Sequence, residues 1–474
     1  MIFGAMCLDF LRSCRTTSGV FPDMDAVLAW FAAKDRRDRF EVRRVPLTDL
    51  DQWLYAQNPL RLMHRSGRFF SVEGLHVETD FGPTLSWDQP VINQPEVGIL
   101  GLLAREIGGV LHFLMQAKME PGNVNILQLS PTVQATFSNY SRVHRGSAPR
   151  YLEYFIDPHR GRVLLDQLQP EQGARFLRKR NRNMVVLVAE DVPLHEDFRW
   201  MTLGQIKALL LHDNIVNMDA RTVLSLVPLA DPDEPPDHGM VEGVTGFGLD
   251  VYLSYCRSDK ERHGMDDIMA WLTAGKARHF MRVSAMPLDR LRGWTLTDAA
   301  ISHESGLYFS VIGVDVAAKT REASRWSQPL LHHQGLGLIG FLCQRHGGLL
   351  HFLVRGSLEP GSRDGMEIGP TVACSEVAVR AKRACAPPFL ELFLEPGSAL
   401  VHYDAVQSEE GGRFHHFQNR YMIVELPAGF DLEAPGHYLW MTLGQLWRMA
   451  RHGHVNIEAR NLLACLSVLL ETGV

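Results

Sequence analysis

The 474-residue chain has 46% hydrophobic and 22% charged residues, an ordinary globular composition with room for two or three cores. A net charge of −6 argues against a general nucleic-acid binder, which would show a basic excess. No apolar run reaches the roughly 18 residues that would span a bilayer. The seven cysteines are an odd number without a Cys-x-x-Cys pair, as expected of reduced thiols in a cytoplasm rather than a disulfide framework or zinc site.

Residues 1–23 lack the apolar length of a signal peptide and read as a poorly ordered lead-in. MDAVLAWF, from Met24, has helical spacing and returns as MDDIMAWL from Met265. PLTDLDQW and PLDRLRGW then place Trp53 and Trp294 after short helices, and GRFFSVEG and GLYFSVIG alternate as strands do. PEVGILGLLAREIGG reads as a helix ending at Gly108-Gly109, and VLHFLMQAKME as a strand. A constant spacing of 239 residues separates Trp87 from Trp326, Gly108 from Gly347, His112 from His351, Glu120 from Glu359 and Thr132 from Thr371. Both copies close with WMTLGQ and a helix carrying VNMDAR or VNIEAR. The chain is therefore a tandem duplication of an α+β unit, expected at 24–230 and 265–474. The acidic, Pro-rich stretch within 231–264 reads as a linker, with a shorter one at 145–150.

GLGLIG (Gly335–Gly340) satisfies G-x-G-x-x-G, but it follows SQPLLHHQ rather than a hydrophobic strand, so its glycines are expected to let a helix pack closely. LAREIGGVL resembles the helix of a Nudix box without the later glutamates that hold magnesium. His112 and His351 lie among apolar neighbours, which favours core histidines over catalysts. Glu120 and Glu359 precede Pro-Gly turns and are candidates for proton transfer.

QLSPTVQATFSNY concentrates polar side chains suited to phosphate and sugar oxygens; a turn satisfying its own backbone explains it equally well. The second copy keeps Pro370 and Thr371 but replaces SNY by Glu376, Val377 and Ala378. In the basic run LRKRNRN only Asn181 and Arg182 are matched, by Asn419 and Arg420, so a retained guanidinium is a candidate diphosphate clamp. The alternative is a solvated charged face. Trp53 and Trp294 are candidates for stacking on a base, or core residues.

QAKMEPGNVNILQLSPTVQATFSNY, the paired LEPG and GPTV, NRNMVV, VNMDARTVLS and QNRYMIVE together resemble the NDP-hexose 2,3-dehydratases of antibiotic deoxysugar biosynthesis. The resemblance runs from Met24 to the C-terminus and departs at ACSEVA in the second copy. It implies tandem Nudix-like folds, a cytoplasmic homodimer and action on dTDP-4-keto-6-deoxyglucose. No metal or redox cofactor is expected, and an NADPH-dependent 3-ketoreductase would consume the product. It also implies two nucleotide-sugar pockets, one vestigial. In the productive pocket Glu120, Lys118 and Tyr140 are the catalytic candidates. Trp53, Gln128, Ser130, Thr132, Thr136, Phe137, Ser138, Asn139, Tyr140, Asn181 and Arg182 would bind substrate. Trp294, Thr371, Ser375, Glu376, Asn419 and Arg420 would form the vestigial pocket. A non-catalytic nucleotide-sugar binding protein is the alternative reading.

Overall fold

A computed structural model describes residues 2–35, 40–136, 149–232, 241–256, 259–318, 324–381 and 385–466. Each half contributes a large mixed sheet. In the first, the order is Arg162–Pro170, Arg180–Leu187, Gly98–Ile107, Val110–Met119 and Phe198–Thr202, with two short strands, Leu127–Ser130 and Val133–Ala135, added at the side. The second repeats it with Leu400–Ser408, Gln418–Glu425, Leu336–His346, Leu349–Ser357 and Tyr438–Met441. In the first sheet Arg180–Leu187 runs parallel to Gly98–Ile107 and the other pairings are antiparallel; in the second Gln418–Glu425 runs parallel to Leu336–His346.

Gly98–Ile107 is a strand, not the helix its apolar content suggests. Leu100, Leu102 and Ala104 enter one core while Ile99 and Leu103 enter another. A strand buried on both faces has no polar side, so its apolar run imitates a buried helix. Gly108 and Gly109, both at positive φ, make the two-residue turn into Val110–Met119. GLGLIG is likewise strand: a side chain at Gly340 would collide with the ring of Phe393.

The N-terminal lead-in is also corrected. Ile2–Cys14 is a helix whose Phe10, Leu11 and Cys14 are buried in the main core. Ser13 Oγ donates to Leu111 O at 2.5 Å and accepts from Leu203 N at 2.9 Å. Within the stretch read as linker, Gly246–Cys256 does the same for the second half: Ser254 Oγ bonds Leu350 O at 2.6 Å and Leu443 N at 2.9 Å. Among the described residues no helix is long and apolar enough to cross a membrane.

The halves are interlocked rather than strung together. Phe40–Val45, from the first half, pairs with Ser310–Ala318 in the second, and Met281–Met286 returns the exchange by pairing with Ser71–Thr79. The Glu-Pro-Gly turns cross as well. Gly122 N donates to Gly411 O at 2.9 Å and Gly361 N to Gly173 O at 2.7 Å. At Gly122 a Cβ would stand 1.6 Å from Phe414 O, and at Gly361 1.7 Å from Phe176 O, so only glycine permits this approach.

Gly122→Ala should therefore cost about 1–3 kcal/mol, as overpacking against backbone does. Gly436→Ala, where a Cβ meets nothing within 4 Å, should be near neutral. Thermal melting of the two variants checks this, and equal melting temperatures would contradict the crossing.

Candidate active site

A cavity of about 480 Å³ opens in the first half, and both halves line it. Its floor comes from Val110–Met119, which carries Lys118, and from the turn that follows with Glu120. Lys118 Nζ lies 2.6 Å from Gln134 Oε1 and 3.3 Å from Glu120 Oε1, and Gln134 Nε2 donates to that same oxygen at 3.1 Å. Glu120 is 4% and Lys118 9% exposed. Oε2 of Glu120 has no hydrogen-bond partner among the described residues. A buried carboxylate with one oxygen held and the other unpaired is a candidate proton acceptor.

Asp219 enters from the helix Met218–Leu224, which Asn217 caps. Burial raises its carboxyl well above the usual range, and Glu410, Glu171 and Glu120 push it further. Burial and Glu410 likewise bring Glu171, which accepts a hydrogen bond from Asn181, to about 7. Burial lowers Lys179 to about 8. One wall is aromatic: Trp53 packs against Phe70 at 4.9 Å between ring centroids, and its Nε1 donates to Ser327 O of the other half at 2.8 Å. Arg413, also from the second half, stacks 4.4 Å over Phe70 and donates to Gln94.

Of the sequence candidates, Lys118, Glu120, Trp53, Thr132, Thr136 and Asn181 line this cavity. Phe137, Ser138, Asn139 and Tyr140 lie outside the described residues. Gln128 and Ser130 do not line it: both are buried, and Gln128 bonds Ser408 Oγ at 2.9 Å across the halves. Thr132 contacts the cavity, but its hydroxyl is committed to Leu114 O at 2.5 Å and Leu103 N at 2.9 Å. It bridges the two central strands where they part, and Thr371 repeats this with Leu353 O and Leu342 N. Pro-Thr-Val thus survives in both copies for a structural reason.

The diphosphate clamp is corrected too. Arg182 alternates with Asn181 along its strand, so it faces away from the cavity and pairs in a fork with Asp166. Arg420 does the same with Asp404. The cations that do line the cavity are Lys118, Lys179, Arg150, Arg325 and Arg413.

The residues expected to form a second pocket are equally engaged. Trp294 Nε1 donates to Asp88 O at 2.8 Å and Asn419 to Glu409 at 2.7 Å. Ser375 ends a strand, and Glu376 opens a short helix where Arg380 pairs with it. Where the first half has Lys118, Gln134 and Lys179, the second has Ser357, Ala373 and Phe417. Phe417 stacks on His333 at 4.1 Å. His112 and His351 are buried, each with Nδ1 near a backbone carbonyl.

A family model of NDP-hexose 2,3-dehydratase matches residues 24–227 and again 265–466. The chain belongs to this family. A relative from Saccharopolyspora spinosa, named dTDP-4-dehydro-6-deoxy-alpha-D-glucopyranose 2,3-dehydratase, is 48% identical over 451 residues, 94% of this chain and 91% of its own length. Relatives with the same name from Amycolatopsis orientalis and Streptomyces violaceoruber are each 44% identical. They cover 96% and 94% of this chain and 92% and 97% of their own lengths. The chain is thus a dehydratase, and the double match follows the duplication.

For this NDP-hexose 2,3-dehydratase, Lys179 offers a pH test. With its pKa lowered to about 8, it is cationic below that pH and neutral above it. Inorganic pyrophosphate should bind more weakly as pH rises from 7 to 9, and Lys179→Met should flatten the change. Calorimetric titration reads both, and an unaltered pH profile in the variant would count against Lys179 as an anion contact.

Proposed function

We propose that the protein removes water across C2–C3 of dTDP-4-dehydro-6-deoxy-D-glucose, and that the cavity of the first half is where it does so. The observation that carries this reading is the buried Lys118–Glu120–Gln134 set, whose second-half counterpart has lost both donors. The C4 ketone acidifies the proton on C3. Glu120 takes it, and Lys118 stands ready to answer charge developing on the C4 oxygen. The C2 hydroxyl, β to the carbonyl, then leaves as C2=C3 forms, and the resulting enol relaxes to a 3,4-diketo-2,6-dideoxy sugar. The aromatic wall at Trp53 and Phe70 suits the thymine, and Arg150, Arg325 and Arg413 suit the diphosphate.

The 3,4-dicarbonyl product is reactive, which favours an NADPH-dependent 3-ketoreductase as the next enzyme. Homodimer formation and a Nudix-like ancestry for each half belong to the same reading. The mixed sheet is the support for that ancestry; LAREIGGVL, being strand and turn rather than helix, is not a relic of a Nudix box.

Incubation with the dTDP sugar and such a reductase tests the reaction. A 2-deoxygenated sugar is expected; unchanged sugar would point to binding alone, and nucleoside monophosphate to hydrolysis. Glu120→Gln should lower kcat about 10²–10⁴-fold. Arg420→Ala, on an exposed ion pair, should stay near wild type. If Arg420→Ala halts dehydration while Glu120→Gln does not, the reaction has been assigned to the wrong half.

A further inference from the structure

Among the positions that differ between the two halves, four bear on the ionisable groups of the first-half cavity. Lys118, Gln134 and Lys179 of the first half correspond to Ser357, Ala373 and Phe417, and Glu410 of the second half corresponds to Gln172 of the first. The first three all line the first-half cavity. So does Glu410, although it belongs to the other half of the chain. Gln172, by contrast, is buried and donates its amide to Glu409 at 2.7 Å. At these four positions the more strongly polar or charged member lines the first-half cavity, whichever half encodes it.

Glu410 follows the strand Leu400–Ser408 and is carried across by the interlocked turn at Gly411–Gly412. A methyl group on Gly412 would stand 3.2 Å from Glu410 Oε1 and 3.7 Å from Glu120 Oε1, so the two carboxyls face one another over a single glycine. Among the described residues the Glu410 side chain makes no hydrogen bond, and it is only partly buried, open toward the cavity. An elimination across adjacent carbons needs two proton-handling groups placed close together, one at C3 and one at the C2 oxygen.

We propose that Glu410, supplied by the second half, is the general acid that protonates the departing C2 hydroxyl in the first-half site. This rests on the dehydration assigned above. Glu120 removes the C3 proton and the pair of electrons left on C3 is held as the C4 enolate. The C2–O bond breaks as C2=C3 forms, and Glu410 gives its proton to the leaving oxygen, releasing water. The proton on Glu120 then restores the Glu410 acid, directly or through water, so no other reactant is consumed. Burial raises the Glu410 carboxyl above its ordinary range; Arg413 opposes this and Glu120 adds to it, the direction a proton donor requires. Asp219 is the rival acid, but its counterpart Glu458 is also acidic, so it does not distinguish the reacting half.

The test is Glu410→Gln, run on the natural 2-hydroxy sugar and on its 2-deoxy-2-fluoro analogue, whose fluoride leaves without needing a full proton. Loss of the hydroxyl should slow about 10²–10⁴-fold while fluoride release stays within about tenfold of wild type. Exchange of the C3 hydrogen with deuterated water should persist. Equal slowing on both sugars, loss of C3 exchange, or unchanged dehydration would each overturn the role. Should the Gln variant fail to fold, Glu410→Asp is read in the same pair of assays: it should slow hydroxyl loss more than fluoride loss, and equal slowing overturns the proposal. Wild-type protein that fails to dehydrate the natural sugar would refute the reaction itself. Wild-type turnover with an unaffected Glu410→Gln refutes only the part given to Glu410.

Discussion

Burying a guanidinium is costly unless its donors meet acceptors, and among the described residues the two fully buried arginines each send one nitrogen to a carbonyl of their own half and another to a carbonyl of the opposite half. Arg221 Nη1 bonds Val216 O and Nη2 reaches Ser408 O, each at 2.7 Å. Arg460 mirrors it, with Nη1 on Val455 O and Nη2 on Pro170 O, again at 2.7 Å. Neither half alone could bury its arginine without leaving donors stranded. The paired VNMDAR and VNIEAR helices thus act as reciprocal latches, and the exchanged strands and crossed Glu-Pro-Gly turns lie around the same pseudo-twofold arrangement.

Interlocking of this kind governs how the copies diverge. Backbone contacts across the axis, such as those of Gly122 and Gly361, serve both halves and tolerate no side chain, so they persist in both. Side chains that point into a cavity carry no such obligation. One half could therefore keep Lys118, Gln134 and Lys179 while the other took Ser357, Ala373 and Phe417. Because the first-half cavity borrows the second half's turn, the residue at 410 lines that cavity although the second half encodes it.

That cross-supply explains how much of the molecule was legible in the sequence. The duplication was, because a constant spacing survives drift. Glu120 and Lys118 were, since a carboxylate before Pro-Gly and a lysine two residues earlier can be read locally. Gly98–Ile107 was misread because a strand buried on both faces shows no alternation of polarity. Arg182 was misread for the opposite reason: within Arg180–Leu187, period two sends Asn181 inward and Arg182 outward, and only a known strand phase separates them. The helix Ile2–Cys14 was hidden by a short amphipathic segment whose counterpart lies behind a Pro-rich stretch. Asp219 meets Lys118 through the tertiary fold of its own half, and Glu410 and Arg413 only through the exchange between halves, which no local pattern announces.

A comparison of the copies position by position would have found part of this set. The differences at 118, 134, 179 and 172/410 are each unremarkable, a polar side chain exchanged for a small, apolar or neutral one. At 118, 134 and 179 the charged or longer hydrogen-bonding side chain is in the first half, whereas at 172/410 the charge is in the second. Under a simple account in which one half decays, all four should change in the same direction. The reversed sign at 410 fits a carboxyl that the second half delivers to the first half's cavity, where the crossed turn brings it. Direction alone does not locate such a residue, since Gln116 and Arg355 also differ with the charge in the second half; the crossed turn does, because it sets Glu410 and Glu120 on either side of Gly412.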